Sequence, residues 1–299
     1  MGANLNQRLF SAADSLRSKM DASEYKNYLL GFIFYKYLSD KLLQKVVELA
    51  DESLEKYDTQ EKQTTLYKDL FADDDTRDDL KNTLVDTLSY DIEPAYLFNV
   101  LVEQAKQNLF QLTDLNKAFI YLSTSYSQFS GLFDDVDLQS KKLGTDDQQR
   151  NVTITEVLKK LNDIDVLGHE GDVIGDAYEY LIGQFASDAG KKAGEFYTPH
   201  MVSDMMARIV AIGQEDTHIF NVYDPTMGSG SLMLNVRNHV NYPDKVKYHG
   251  QELNTTTFNL AKMNLILHGV DNEAMNLRNG DTLNKDWPSD EPYLFDAVL

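Results

Sequence analysis

The first part of the chain repeats its apolar residues at the spacing of amphipathic helices. Residues 4–138 place them three or four positions apart, which puts them on one face of a helix. One wide apolar stripe runs through Tyr25, Leu29, Phe32, Ile33, Tyr37, Leu38, Leu42, Val46 and Leu49. Such a stripe is usually internal core, although an exposed face for a partner is a second interpretation. We therefore predict a helical N-terminal domain over residues 1–150.

Polar residues separate this domain from the next apolar elements. Residues 139–151 are polar and contain a glycine, which predicts an exposed loop. Residues 152–161 and 172–185 then resume helical spacing and predict two further helices. A second domain is accordingly expected over residues 151–299.

A strand, a glycine turn and a helix follow one another within this second domain. Residues 219–223 form an apolar run that predicts a buried strand, and Asp224 follows it directly. Gly228 and Gly230 predict a tight turn, after which a helix begins at Ser231. In a doubly wound α/β sheet this order makes a crevice for a nucleotide-like ligand. The pattern Asp-Pro-x-x-Gly-x-Gly is not a dinucleotide fingerprint. It is typical of enzymes that use S-adenosylmethionine (AdoMet), and a structural turn without a ligand is the alternative.

The segment before this strand carries a second motif. Residues 194–200 read Gly-Glu-Phe-Tyr-Thr-Pro-His and precede apolar residues at helical spacing. Thr198 is placed to be the N-cap of that helix, with Pro199 at its first position. The apolar residues of the helix are Met201, Val202, Met205, Met206, Ile209 and Val210. A motif and a helix start so close to the glycine turn favour the ligand-binding interpretation.

Three further strands are predicted after the glycine turn. Residues 247–252 form a strand that ends in Glu252, and an apolar helix follows. A carboxylate at that position is where a ribose diol is usually held. Residues 279–283 end a third strand and include Asp281, and residues 295–299 predict a fourth. The order of these elements predicts an α/β fold, in which a partial Rossmann-like domain follows the helical one.

Composition narrows the class of protein. The 299 residues include no cysteine, and the six histidines lack ligand spacing, so no disulfide and no metal site are expected. No apolar run approaches the ~20 residues of a membrane span, and no signal peptide precedes the first helix, which predicts a cytoplasmic protein that binds no membrane.

The net charge of the chain bears on how it would bind nucleic acid. A formal net charge of −20 argues against a simple DNA-binding module, because such modules usually carry a basic patch. The densest acidic run, residues 73–79, is expected to be a solvated loop rather than a DNA mimic or a metal site.

Four motifs together resemble those of one protein family. They are Gly-Glu-Phe-Tyr-Thr-Pro at 194–199, Asp-Pro-Thr-Met-Gly-Ser-Gly-Ser-Leu at 224–232, Gln-Glu-Leu-Asn at 251–254 and Gly-Asp-Thr-Leu at 280–283. The helical region at the N-terminus is also similar to this family. The chain resembles the modification (M) subunit of a type I restriction-modification system, an AdoMet-dependent adenine-N6 DNA methyltransferase. The resemblance covers essentially the whole chain.

The resemblance implies a role for each matched residue in an AdoMet site. Glu252 would bind both ribose hydroxyls, Asp224 would orient the amino group, and Asp281 would take the adenine amino group beside Leu283. The residues around the methionine end would be Glu195, Phe196, Tyr197, Thr198, Pro199 and His200. The turn residues that approach the cofactor would be Gly228, Ser229, Gly230 and Ser231. A turn role for Asp281, and a core role for the two aromatic residues, are the alternatives.

The resemblance also implies the partners and the catalytic loop. The partners would be DNA, a specificity subunit, a second M subunit and a restriction subunit. In this family an Asn-Pro-Pro-Tyr or Asn-Pro-Pro-Phe loop after the fourth strand receives a flipped-out adenine. No Pro-Pro pair occurs in the chain, and the fourth predicted strand ends at Leu299. We therefore expect the catalytic loop beyond Leu299, so that the chain alone binds AdoMet without transferring a methyl group.

Two other functions are compatible with the same motifs. The first is an AdoMet-dependent methyltransferase that acts on RNA or on protein, because a related Asn-Pro-Pro-Tyr loop serves those substrates. The second is an assembly module without catalysis. The long helical domain and the Gly-Glu-Phe-Tyr-Thr-Pro motif favour the DNA methyltransferase subunit.

Overall fold

The computed structural model describes residues 2–167, 173–188, 198–284 and 294–299. Their contacts divide the chain into two units, Met1–Val173 and Ile174–Leu299. The first unit is helical, and the second contains a parallel β-sheet. The predicted α/β fold with a helical first part is therefore confirmed.

Eight helices of the first unit are described. They are α1 (Gly2–Ala12), α2 (Asp14–Arg17), α3 (Ala22–Leu49), α4 (Gln60–Ala72), α5 (Asp74–Leu88), α6 (Phe98–Lys106), α7 (Leu112–Ser125) and α8 (Asp147–Asn162). Helix α3 is the longest of them and packs against α2, α4, α5, α6 and α8. The unit is thus organised around one long central helix.

The predicted apolar stripe lies on α3 and forms internal core. Of its nine residues only Leu49, at the end of the helix, is appreciably exposed, at 37%. Aromatic rings from later segments pack on this face, and the ring centroids of Phe119 and Phe32 are 6.4 Å apart. Phe119 also stacks on Phe133 with a centroid distance of 4.3 Å. Because these rings bury the stripe, the core interpretation is confirmed and the exposed partner face is excluded.

Two segments predicted as loops begin helices instead. The acidic run at 73–79 enters α5, where the Asp73 side chain accepts a hydrogen bond from the Asp75 amide at 3.0 Å. Residues 147–151, within the predicted loop 139–151, form the first turns of α8, and Asp146 caps that helix by accepting from the Gln149 amide at 2.8 Å. Aspartates satisfy free N–H groups and favour the positive end of the helix dipole. Acidic residues therefore mark helix starts here.

The boundary between the units differs from the one predicted at residues 150 and 151. Helix α8 packs against α1, α2, α3, α6 and α7, so its residues belong to the first unit. Its apolar side chains Ile154, Val157, Leu158 and Leu161 are all buried. The polar segment before α8 therefore lies within the helical unit, which extends to Val173.

The described part of the second unit contains four parallel strands. They are β1 (Phe220–Asp224), β2 (Val246–Glu252), β3 (Met275–Asn279) and β4 (Ala297–Val298), in the order β3-β2-β1-β4. Every neighbouring pair is parallel. The order reverses beside β1, between β2 on one side and β4 on the other. In doubly wound sheets ligands bind at this reversal, outside the carboxyl ends of the strands.

Four α-helices accompany the sheet within the described residues. They are α9 (Val173–Asp188), α10 (His200–Ala211), α11 (Ser231–Asn235) and α12 (Thr255–Leu267). Residues from β1, β2, α10, α11 and α12 form one apolar core that includes Phe220, Val222, Val246, Tyr248 and Leu265. Gly250 on β2 lets the glycine-turn segment approach the sheet, because a Cβ there would lie 2.5 Å from the Met227 sulfur. The glycine-turn segment therefore packs closely against β2.

Helix α10 forms where the helical spacing predicted it, but its small side chains are buried and several of its large apolar ones are exposed. Its buried residues are the small Ser203, Ala207 and Ala211. The exposed large apolar residues on or next to it are Met201, Val202, Met205, Ile209 and Ile212. Small side chains allow α10 to pack closely on α11, and the large ones face outward.

Within the described ranges, no helix combines the length and apolar character needed to cross a membrane.

Candidate functional site

The glycine turn follows β1 as the sequence predicted. The Asp224 carboxylate accepts a hydrogen bond from the Thr226 amide at 2.9 Å, which starts the turn. Gly228 and Gly230 have φ values of +54° and +77°, in the left-handed region that favours glycine. A Cβ on Gly230 would also lie 2.6 Å from Leu265 Cδ1 on α12. Both backbone conformation and packing therefore require glycine at position 230.

Asp224 is an acid buried at the tip of β1. Only 3% of it is exposed, and burial raises its pKa from 3.8 to about 6. The Thr226 amide opposes this rise, and the charge of Glu252 adds to it. No lysine or arginine forms an ion pair with Asp224 among the residues that the structure describes. A cationic ligand is the natural complement of such a group, because an opposite charge favours the ionised carboxylate.

Glu252 joins the tip of β2 to the glycine turn. Its Oε2 accepts a hydrogen bond from the Gly228 amide at 3.2 Å, and its Oε1 accepts from the Asn254 amide at 2.8 Å. Each carboxylate oxygen has a second lone pair, so two hydroxyl donors can still be accommodated. The residue is half-buried at the edge where parallel strands end. The structure therefore brings Asp224 and Glu252 to the same turn, where each accepts a hydrogen bond from one of its amides.

Asp281 lies in a loop attached to the same edge of the sheet. Its Oδ1 accepts a hydrogen bond from the Leu283 amide at 3.0 Å, and the Thr282 hydroxyl donates to the carbonyl of Pro225. The alternative to adenine binding is that Asp281 only stabilises this turn, and its hydrogen bond with the Leu283 amide agrees with that alternative. Its adenine-binding role therefore stays a prediction. Leu253 and Leu283 are 69% and 96% exposed, which places apolar surface beside the carboxylates.

The start of α10 corrects one prediction. The helix begins at His200, and Pro199 is its N-cap residue, with an extended ψ of 134° and no side-chain cap. Thr198 is therefore not the N-cap, because the extended Pro199 delays the helix by one residue. Pro199 and His200 are exposed, and Thr198 is half-buried. Glu195, Phe196 and Tyr197 lie outside the described residues.

Hydrogen bonds of polar side chains stabilise the glycine turn. The hydroxyls of Ser229 and Ser231 are 2.9 Å apart, and both residues are buried. The Asn264 side-chain amide, from α12, donates to the Ser229 carbonyl at 3.0 Å. Glu179 on α9 is a buried acid whose pKa is raised by burial, and the Ser231 hydroxyl opposes that rise. The Asn264 side chain thus ties the turn to α12.

Sequence reasoning missed Glu179 and Asn264. Both interrupt apolar helical patterns: Glu179 stands between Tyr178 and the buried pair at 181 and 182, and Asn264 lies among the buried residues of α12. A polar residue on an apolar helical face is the signal that could have identified them. No group of three metal-ligating side chains occurs in the part of the chain that the structure covers.

These features define the class of the second unit. A parallel sheet of order β3-β2-β1-β4 with an acid-glycine turn after β1 and an acid at the tip of β2 is the arrangement of a partial Rossmann-like methyltransferase domain. Two family models match the chain. The HsdM N-terminal domain matches residues 5–161, and the N-6 DNA Methylase domain matches residues 169–299.

Known proteins extend the likeness over nearly the whole chain. The MpnII methylase subunit of a type I restriction enzyme, from Mycoplasma pneumoniae, is 34% identical over 95% of this chain and 53% of its own length. The corresponding MjaVII subunit from Methanocaldococcus jannaschii is 28% identical over 97% of this chain and 46% of its own length.

A solved structure is similar to this chain over its whole length. The methyltransferase subunit of a type I restriction-modification system from Streptococcus thermophilus is 49% identical, with a TM-score of 0.94 over all of this chain and 62% of that one. The chain belongs to the HsdM family of type I restriction-modification methylase subunits. It spans about half the length of the curated relatives described above.

The buried Asp224 predicts a specific dependence of stability on pH. Its pKa in the folded state, about 6, is above the ordinary 3.8, so the stability that it contributes is complete below about pH 4 and is lost as the pH rises through 6. Asp224→Asn keeps the acceptor for the Thr226 amide and removes the charge. We expect this variant to be more stable than the wild type at pH 7, by about 3 kcal/mol, and about equally stable at pH 4.

Urea unfolding of both proteins between pH 4 and 7 measures this difference. Comparing the two proteins removes the contribution of other titrating groups, which they share. A difference in the free energy of unfolding that stays constant with pH would contradict the assignment.

Proposed function

We propose that the chain provides the AdoMet-binding part of a type I restriction-modification methyltransferase, which transfers a methyl group to N6 of adenine in DNA. The observation that carries the proposal is the pair Asp224 and Glu252 at one glycine turn, without a lysine or arginine partner in the described residues. Membership of the HsdM family supports the assignment of substrate.

The charge and donor set of this edge fit AdoMet. The cofactor carries a sulfonium and an ammonium group against one carboxylate, so its net charge is positive. Asp224 would accept hydrogen bonds from the ammonium group, and Glu252 from the ribose hydroxyls, through the lone pairs that the backbone amides leave. Gly228, which is left-handed and has no Cβ, would let the backbone of the turn come close to the ligand. The carboxylates of the site thus match a ligand that is both cationic and rich in hydrogen-bond donors.

The other expected cofactor contacts are proposals of the same kind. Leu253 and Leu283 present exposed apolar surface on which the adenine ring would pack, with Asp281 hydrogen-bonded to its amino group. The segment around the methionine end would comprise Glu195, Phe196, Tyr197, Thr198, Pro199 and His200. Ser229 and Ser231 complete the turn that approaches the cofactor.

Methyl transfer itself is proposed for the whole protein. AdoMet supplies the methyl group, and an Asn-Pro-Pro-aromatic loop of the kind expected for the family would hold the flipped adenine. Residues 1–299 contain no Pro-Pro pair, so none of them is assigned to the transfer step. The task of these residues is to bind and orient the cofactor.

The partners of the whole protein follow from the same proposal. We expect it to act in the cytoplasm on DNA, with a specificity subunit, a second methylase subunit and a restriction subunit. A net charge of −20 is consistent with leaving most phosphate contacts to a partner, because phosphate neutralisation needs basic side chains.

Loss of the β2 carboxylate tests the cofactor site. We expect Glu252→Ala to weaken AdoMet binding by ~1–3 kcal/mol, because two buried hydroxyl donors lose their acceptor. Isothermal titration calorimetry of the chain measures the affinity. Glu273→Ala is the matched control, since Glu273 is an exposed acid of the same unit that directly precedes the amino end of β3, away from the carboxyl ends of the strands. Equal affinity of wild type and Glu252→Ala would contradict the ribose role.

The substrate is tested with the full-length protein and its specificity partner. Tritium-labelled AdoMet is offered with DNA, RNA and protein, and the labelled product is digested and separated. We expect the label in DNA as N6-methyladenine. Label in RNA or protein, or in cytosine, would contradict the proposed reaction.

A further inference from the structure

Asn279 ends β3 beside the carboxylate at the tip of β2. In the parallel register its Cα is paired with that of Glu252. The side-chain amide of Asn279 donates to the carbonyls of Glu252 and Leu253, at 2.7 and 3.1 Å. Its Oδ1 accepts a hydrogen bond from the Thr255 hydroxyl at 2.9 Å. The Asn279 side chain is therefore bonded to the segment where β2 ends and α12 begins.

One peptide group lies between Asn279 and the Glu252 carboxylate. The carbonyl of Leu253 and the amide of Asn254 belong to the same planar trans unit, and they point in opposite directions. Asn279 donates to this carbonyl at 3.1 Å, and the amide donates to Oε1 of Glu252 at 2.8 Å. Because the unit is rigid, fixing its oxygen also fixes the direction of its N–H. A continuous chain of hydrogen bonds thus runs from Asn279 to the carboxylate.

The groups around the Asn279 side chain set its orientation. With its oxygen and nitrogen exchanged, an acceptor would face the carbonyls of Glu252 and Leu253, and both hydrogen bonds would be lost. The Thr255 hydroxyl supplies the donor that Oδ1 accepts in the observed orientation. Hydrogen bonds in series polarise one another, so each bond strengthens the next. Asn279 and Thr255 together therefore favour one arrangement of the segment.

We infer that Asn279 is a positioning residue of the cofactor site, which directs the Glu252 carboxylate toward the ribose hydroxyls through the peptide group that follows Leu253. The inference rests on the proposed function, because that function assigns the ribose to Glu252. The other carboxylate oxygen accepts from the Gly228 amide at 3.2 Å. With both oxygens bound to backbone amides, the remaining lone pairs keep fixed directions before a ligand arrives. Such preorganisation lowers the cost of binding a diol.

The contacts of Asn279 lie on accessible surface at the carboxyl ends of the strands. Asn279 and Thr255 are exposed, and so is 69% of Leu253. Water therefore competes for these hydrogen bonds in the free protein, and a nucleoside bound over them would exclude it. Substitutions at exposed positions usually change stability little. The inference accordingly assigns Asn279 a larger effect on affinity than on the free energy of unfolding.

The test measures the affinity of two ligands by isothermal titration calorimetry. One is AdoMet, and the other is 2′,3′-dideoxy-AdoMet, which lacks both ribose hydroxyls. We expect Asn279→Ala to bind AdoMet about fivefold more weakly than wild type, the usual scale for one net hydrogen bond. The same variant should bind the dideoxy ligand within about twofold of wild type, because the groups that Glu252 would bind are absent. Asn272→Ala, an exposed asparagine in the turn before the amino end of β3, is the matched control and should bind AdoMet as wild type does.

A double variant shows whether Asn279 acts through Glu252. Adding Asn279→Ala to Glu252→Ala should weaken AdoMet binding by less than about twofold further, because the carboxylate that Asn279 positions is already gone. Thr255→Val removes the donor to Oδ1 and should have an AdoMet affinity between those of wild type and Asn279→Ala. If Asn279→Ala does not fold, Thr255→Val decides between the same outcomes with both ligands.

Unchanged AdoMet affinity in Asn279→Ala, equal losses for both ligands, or losses that multiply in the double variant would each overturn the inference. Equal losses together with a lower free energy of unfolding, measured in urea, are the result that a merely structural role predicts. Equal AdoMet affinity of wild type and Glu252→Ala would remove the ribose role and the inference with it. Wild type that binds no AdoMet would instead contradict the proposed function itself.

Discussion

The second unit depends on one unfavourable burial, that of the Asp224 carboxylate at the tip of β1. Removing a carboxylate from water is costly unless a partner compensates, and here the partner seen is a single backbone amide. Burial raises the pKa of Asp224 to about 6, and the nearby charge of Glu252 adds to the effect. Such a cost beside a glycine turn supports the proposed positively charged ligand, since strongly shifted carboxylates concentrate at functional sites.

The rest of the edge follows from how parallel strands end. Asp224, the last residue of β1, pairs with Gly250 of β2, so Glu252 at the end of β2 lies two residues further along at the same edge of the sheet. Gly228 tightens the arrangement, because its left-handed backbone lets its amide reach the Glu252 carboxylate. Thr282 then ties the loop after β3 to the carbonyl of Pro225. Three strand ends, far apart in sequence, thereby form one site.

Much of the fold and of the candidate site could be predicted from the sequence, because short local sequence patterns determine it. The stripe on α3, the turn at Gly228 and Gly230, and the strand that ends in Glu252 each occupy a few consecutive residues. The starts of α5 and α8 were missed, because aspartates favour helix N-termini as much as loops. Local composition alone does not decide between those two uses.

The missed parts of the site depend on long-range packing. Asn264 reaches the turn from α12, more than thirty residues further along the chain, so no nearby motif points to it. Helix α10 shows the same limit. Its periodicity was correct, yet Ser203 and its small neighbours face inward while Met201 is 85% exposed. Which face of a helix is buried depends on the elements against which the helix packs. Close packing of α10 on α11 favours small side chains on the buried face.

The most direct test of the central claim is the number of protons released when AdoMet binds at pH 6. Calorimetry in buffers of different ionisation enthalpy measures it. Because about half of the free Asp224 side chains are protonated at that pH, binding of a cation beside them should release roughly half a proton per complex, and the Asp224→Asn variant should release less. Binding without proton release, or equal release by the variant, would contradict a buried carboxylate that awaits a positively charged ligand.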